Sequence, residues 1–120
     1  MRNFRKIRTW ELADDVAVTV YKATADFPKE EVYGLTSQLR RAASSVPANI
    51  AEGASRAHKK EYLQFLYVAR GSLAETDYFL HLARRLGYLN DVQHDALADQ
   101  VAAVGGSLHN LLQAVQKECG

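Results

Sequence analysis

The 120-residue sequence predicts an all-α fold, an up-down-up-down antiparallel four-helix bundle, on three observations. Apolar residues recur at three- and four-residue steps in four separate stretches, giving helices at about 10–27, 35–54, 58–86 and 91–117. No stretch alternates with the two-residue period of a strand. The connections are short, which forces consecutive helices to run in opposite directions. A chain of this length, residues 1–120, makes one domain with enough residues to enclose a core.

The first helix opens at Thr9, whose hydroxyl suits an N-cap. It carries Trp10, Ala13, Val16, Ala17, Val20, Ala23, Thr24 and Phe27 on one face before Pro28 bars its continuation. In the second, Leu35, Leu39, Ala43, Val46 and Ile50 form the stripe, and Gly53 with the following ASRA closes it. The third starts near His58, turns Tyr62, Phe65, Leu66, Ala69, Leu73, Thr76, Leu80 and Ala83 inward, and stops at Gly87. The fourth begins at Asn90-Asp91-Val92-Gln93, the layout of a capping box with Asn in place of Ser or Thr. Its stripe is Leu97, Val101, Val104, Leu108, Leu111, Leu112 and Val115.

The run QLRRAASSVPANIAEGASR, from Gln38 to Arg56, sets helix formers beside a proline and a glycine. Pro47 cannot donate to the Ala43 carbonyl, a loss of ~3 kcal/mol or more in an unprepared helix, so a bend is expected there. Propensity alone would not choose Ser-Ser-Val-Pro in a helix, so tertiary packing must hold the segment. Ala42, Ala43, Pro47, Asn49 and Gly53 belong to a nearly continuous set of short side chains, and Gly71 and Ser72 lie in a similar set on the third helix. If the two helices reverse near residues 56–57, Ala42 faces Gly71 and the backbones approach closely. The same register brings Arg40 and Arg41 to Glu75 and Asp77 as structural ion pairs.

Charge and motifs narrow the function. The net charge is +1, so no global basic signal for nucleic acid exists, yet residues 1–60 hold eleven Lys/Arg against seven Asp/Glu. Two clusters account for this: Arg2, Arg5, Lys6 and Arg8, then Arg56, Lys59 and Lys60 with His58. They read either as solvated surface or as weak phosphate contacts. No apolar run approaches the ~20 residues of a membrane span, and the N-terminus has no apolar signal core, which predicts a cytoplasmic protein. A single cysteine, Cys119, closes no internal disulfide. A di-iron bundle needs a Glu-x-x-His pair on each of two helices, and none is present; Asp91-x-x-His94 and the Asp77/His81 pair are ordinary on solvated faces. Phosphate-loop, dinucleotide and nucleophile-elbow patterns are also missing, and no Arg precedes a His by four to six residues as in helical ribonuclease toxins. No cofactor or metal and no enzymatic activity are expected.

The run from Gln38 to Arg56, preceded by FPKEEVYGL and followed by YLQFLYVARGSLAE and LGYL, resembles a family of four-helix-bundle proteins. That family was first noticed as products of intervening sequences in 23S ribosomal RNA genes. The resemblance spans Trp10 to about Leu112. It implies a bundle that assembles into a ring-like homopentamer without established enzymatic activity. A related branch is the accessory protein of diversity-generating retroelements, a strongly basic pentamer thought to bind nucleic acid; this chain is near neutral. The expected functions are therefore an oligomeric assembly or adaptor module, whose further protein partner is unidentified, or a weak electrostatic nucleic-acid binder. Tyr21, Leu63, Tyr67, Tyr78 and Phe79 exceed what one four-helix core can obviously hide, which agrees with assembly.

Overall fold

The computed structural model describes residues 2–119, among which there are four α-helices and no strand. Helix α1 spans Arg8–Thr24, α2 Leu35–Ala54, α3 Lys59–Arg85 and α4 Asp91–Cys119, with single 3-10 turns at Phe4–Lys6 and Lys29–Glu31. Consecutive helices pack side by side and α4 closes on α1, while the diagonal pairs stay apart at the backbone. At 1.5 Å per residue, the 29 residues of α4 span nearly the whole 46 Å long axis. α1 has only 17 residues, and the turn at Phe4–Lys6 covers the end that it leaves open, with Phe4 edge-on to Trp10 at 4.9 Å.

The core follows the predicted stripes. Leu39, Val46, Ile50, Leu66, Leu80, Val104 and Leu108 are fully buried, and Leu73, Leu97 and Val101 are buried. Phe65, expected with them, is only half-buried: it sits on the α2 side of α3, with the Arg56 guanidinium 4.8 Å above its ring.

Helix α1 departs from expectation at both ends. Its N-cap is Ile7, which offers no side-chain cap, and Thr9 lies inside the helix. Thr9 is buried, and its hydroxyl is 2.6 Å from that of Ser107 on α4. A hydroxyl that can bond across the bundle serves the closed structure better than one capping a helix that a preceding turn already covers. The other end stops at Thr24, before Pro28 is reached, because Phe27 folds back into the core against Tyr88 at 5.4 Å. Helix α2 continues through Pro47, whose ring is buried.

The remaining ends are built locally. Asn90 Oδ1 accepts from the Gln93 amide at 2.8 Å and Gln93 Oε1 from the Asn90 amide at 2.9 Å, the reciprocal bonds that the motif predicts. Gly87 has φ +80°, and the Gly87 and Tyr88 amides donate to the Arg84 and Ala83 carbonyls, a Schellman closure that a side chain at residue 87 would strain.

At the same end, Glu31 joins three segments. One carboxylate oxygen accepts from the Leu35 amide at the start of α2 (3.0 Å), the other from the Tyr88 hydroxyl (2.8 Å). A Cβ on Gly34 would lie 2.6 Å from that first oxygen, so glycine is what lets the carboxylate reach the helix end. These bonds hold the Glu31 carboxyl below its ordinary range, the amide of Leu35 contributing most. A depressed folded-state value means that the stabilisation is present above the unfolded value of ~4.3 and is lost as pH falls through the folded one. Glu31→Gln should therefore flatten the acid limb of stability below about pH 4.3, read as melting temperature against pH. An unchanged acid limb would show that the carboxylate contributes nothing there.

Candidate functional site

Three surfaces carry the residues that the sequence singles out. The first is the α2–α3 seam. Gly53 is buried, and a Cβ added there would lie 2.8 Å from Phe65 Cβ, 2.9 Å from Tyr62 Cδ1 and 3.2 Å from the Tyr62 carbonyl oxygen. This is the close approach that the small residues promise. One turn and more away, the Ser45 and Ser72 hydroxyls are 2.9 Å apart, and the Asn49 amide donates to Ser45 Oγ and to the Ser45 carbonyl. The polar Ser-Ser-Val-Pro-Ala-Asn run thus forms a bridge between helices. Ala42, Ala43 and Pro47 are buried on α2. Gly71 does not belong to this seam: it is exposed, and a Cβ there meets nothing within 4 Å. Ser72, its neighbour, points toward α2 instead, since one residue along a helix turns the side chain by about 100°.

The second surface is a groove between α1 and α2. Arg40 donates through Nε to Thr24 Oγ1 at 2.7 Å and through Nη2 to the Tyr21 carbonyl at 3.2 Å, with its guanidinium 4.7 Å from the Tyr21 ring centre. Arg41 donates to Gln38 at 2.7 Å. The expected pairs of Arg40 and Arg41 with Glu75 and Asp77 do not form: Arg40 reaches away from α3 to α1, and Glu75 and Asp77 are exposed on α3 without an ion pair among the described residues. The groove has a volume of about 480 Å³ and is lined by Tyr21, Val32, Thr36, Ser37, Arg40, Arg41 and Ser44. Nothing local in the sequence marks it, because its two walls come from helices joined through a ten-residue connection.

The third surface is one end of the bundle, where the segment ahead of α1 reaches the α2–α3 turn, the end of α4 meets the start of α3 through Lys59 and Glu118, and Arg2 of the first basic cluster touches Arg56 of the second. Arg2 donates to the Arg56 carbonyl at 3.1 Å and the Ala54 carbonyl at 3.5 Å, and its guanidinium stacks 4.5 Å from the Tyr62 ring. Burial pushes the Tyr62 phenol up, with Arg2 acting against it. A cleft of about 470 Å³ lies beside Arg2, Ser55, Arg56 and Ala57. Much of the positive charge is already answered: Arg8 pairs with Glu11 at 3.0 Å, Arg56 with Glu52 at 2.6 Å and Lys59 with Glu118 at 3.4 Å. Arg5 lies over Phe4, while Lys6 and Lys60 are exposed without an ion pair among the described residues. The structural role of Arg2, which joins residues 52 or more positions apart, has no local signal in the sequence.

No group of three or more His, Cys, Asp or Glu side chains that could hold a metal occurs among the described residues, and no helix there is long and apolar enough to cross a membrane.

Comparison with known proteins places the fold. A crystal structure of a protein of unknown function from the S23 ribosomal protein family of Bacteroides thetaiotaomicron is similar, with a TM-score of 0.78 and 20% sequence identity over 87% of this chain and 97% of that one. At that identity the likeness carries the fold alone. No curated protein sequence matches. The family model for the 23S rRNA-intervening sequence protein matches residues 5–110, most of the bundle and the whole α2–α3 seam, and the chain belongs to that family.

Proposed function

We propose that this protein is a non-enzymatic assembly or adaptor module that works as a homo-oligomer, with five copies the number that the family resemblance implies. The observation that carries this reading is apolar surface left open by a closed bundle. Tyr33 is 97% exposed, and Val18, Tyr21, Val32, Val68 and Tyr78 are about half exposed. Leu63, Tyr67 and Phe79 are partly covered by their own core, so the open apolar residues lie on α1 and the α1–α2 connection (Val18, Tyr21, Val32, Tyr33), on α3 (Val68, Tyr78) and at the α3–α4 turn (Leu86, Val92). Apolar patches of this kind mark interaction surfaces. Light scattering at micromolar concentration should give a multiple of the chain mass, and a monomer mass would overturn the reading.

The contact of the two basic clusters through Arg2 and Arg56 favours a second reading, contact with RNA or DNA in which the oligomer multiplies a weak surface. Among the described residues, each chain offers Arg5, Lys6 and Lys60 outside ion pairs. Three phosphate contacts on a single strand give a slope of log affinity against log salt of about −2 per chain. Lys6→Ala with Lys60→Ala should reduce that slope in a fluorescence-anisotropy titration, whereas Arg2→Ala should chiefly lower the melting temperature. Tight binding that ignores salt would defeat this account.

A further inference from the structure

The groove between α1 and α2 holds positive charge in a fixed place with no opposite charge to meet it. Arg40 is anchored by the Thr24 hydroxyl at 2.7 Å, the Tyr21 carbonyl at 3.2 Å and the face of the Tyr21 ring at 4.7 Å. Arg41, one position on, is held by the side-chain oxygen of Gln38 at 2.7 Å. All of these partners are neutral. They orient the two guanidiniums and leave both charges uncancelled, whereas Arg8 and Arg56 elsewhere each meet a carboxylate. Among the described residues no Asp or Glu lines the groove, and Glu31, next to Val32 in sequence, is bonded instead to the Leu35 amide and the Tyr88 hydroxyl.

Two hydroxyls add to this. Ser37 is exposed and shares an α2 face with Arg40 and Arg41, which follow it by three and four positions. Thr36, which also lines the groove, is only 6% exposed, yet its Oγ1 is buried without any hydrogen-bond partner. A buried hydroxyl left unpaired is costly, and a threonine in a helix has two accessible rotamers, so this one can turn to an acceptor that enters the groove. Tyr21 and Val32, each about half exposed, give the groove an apolar side. Apolar surface with a few placed polar groups, in a volume of about 480 Å³, is the make-up of a small-molecule site.

We propose that this groove binds a small organic oxyanion, a carboxylate or phosphate carried on an aromatic or aliphatic body. Arg40 uses Nε and Nη2 within the chain and has Nη1 left over among the described residues, and Arg41 brings a second guanidinium to the same groove. With the hydroxyls of Ser37 and Thr36 they offer the anionic oxygens charge-assisted hydrogen bonds, about twice as strong as neutral ones. The body of the ligand lies against Tyr21 and Val32 and covers apolar surface that the bundle leaves in water. Guanidiniums already anchored lose little further freedom on binding, so these bonds form at low entropic cost. Both walls belong to one chain, so the site is complete without a second copy and stands apart from the assembly reading.

Ligand-observed NMR titrations of the whole chain test this with benzoate, phenyl phosphate, inorganic phosphate and benzyl alcohol. Benzoate or phenyl phosphate should bind saturably, the tighter of the two identifying the head group. Benzyl alcohol, which lacks the charge, and inorganic phosphate, which lacks the body, should each bind at least about tenfold more weakly. Arg41→Gln and Ser37→Asp fall on exposed positions, and an acid in the first turn of α2 suits the helix dipole, so circular dichroism should show both variants folded. Arg41→Gln should weaken binding at least about tenfold, and Ser37→Asp should abolish it by setting a carboxylate in the groove. Absence of saturable binding by both organic anions overturns the proposal. Binding that survives either folded variant unchanged puts the anion elsewhere and overturns it too. So does benzyl alcohol or inorganic phosphate binding as tightly as the organic anions, because one half of the recognition would then be idle.

Discussion

Leu66→Ala should lower the unfolding free energy by about 2–5 kcal/mol, the span measured when a buried leucine is truncated and its surroundings close only partly. Leu66 is 0% exposed in the middle of the core. The loss combines the transfer of its methyl and methylene groups with the cavity left behind, and interiors packed like organic crystals have little slack to close it. Lys60→Ala provides the contrast: its side chain is exposed at the bundle end, and surface changes of this sort stay within about 0.5 kcal/mol. Urea unfolding of both variants measures the difference, and equal midpoints would mean that the inward and outward faces of α3 have been exchanged.

Gly53→Ala should also destabilise the bundle, although alanine is the better helix former. The added methyl carbon would lie 2.8 Å from Phe65 Cβ and 3.2 Å from the Tyr62 carbonyl, atoms close to or within the α3 backbone that cannot swing aside. Overfilling a packed site costs about 1–3 kcal/mol, against which helix propensity returns about 1 kcal/mol. Gly53→Val should be worse again, since it adds two more carbons to the same gap. Gly106→Ala is the opposite case: Gly106 is exposed on α4, a Cβ there meets nothing within 4 Å, and the substitution should stabilise by up to about 1 kcal/mol. If Gly53→Ala and Gly106→Ala shift the melting temperature alike, the seam between α2 and α3 is looser than its geometry indicates.

The four helices, the stripe of each and the capping box at Asn90 were legible because they depend on residues within a few positions of one another. Periodicity of three and four residues is a local property, and a side chain that reaches an amide three residues away needs no tertiary fold to be recognised. The small residues on α2 likewise announce a close approach by their size alone. Which glycine makes that approach was not legible. Gly53 and Gly71 carry the same absent side chain, and only the rotation of α3 about its axis turns one helix face to the seam and leaves Gly71 in solvent. The same holds for charge: Arg40 has acceptors on either neighbour, and the bundle geometry sends it to Thr24 and Tyr21 on α1. By itself, then, the sequence determined how many helices form, where their apolar faces lie and how two of their ends are closed. The tertiary structure decided which helix faces meet, that Arg2 of the first basic cluster reaches Arg56 of the second, and that Glu75 and Asp77 stay exposed without an ion pair among the described residues. The division follows from range: patterns along one helix are set by its own repeat, whereas the partner of a side chain depends on the rotation and offset of a neighbouring helix, which the packing of the whole core sets.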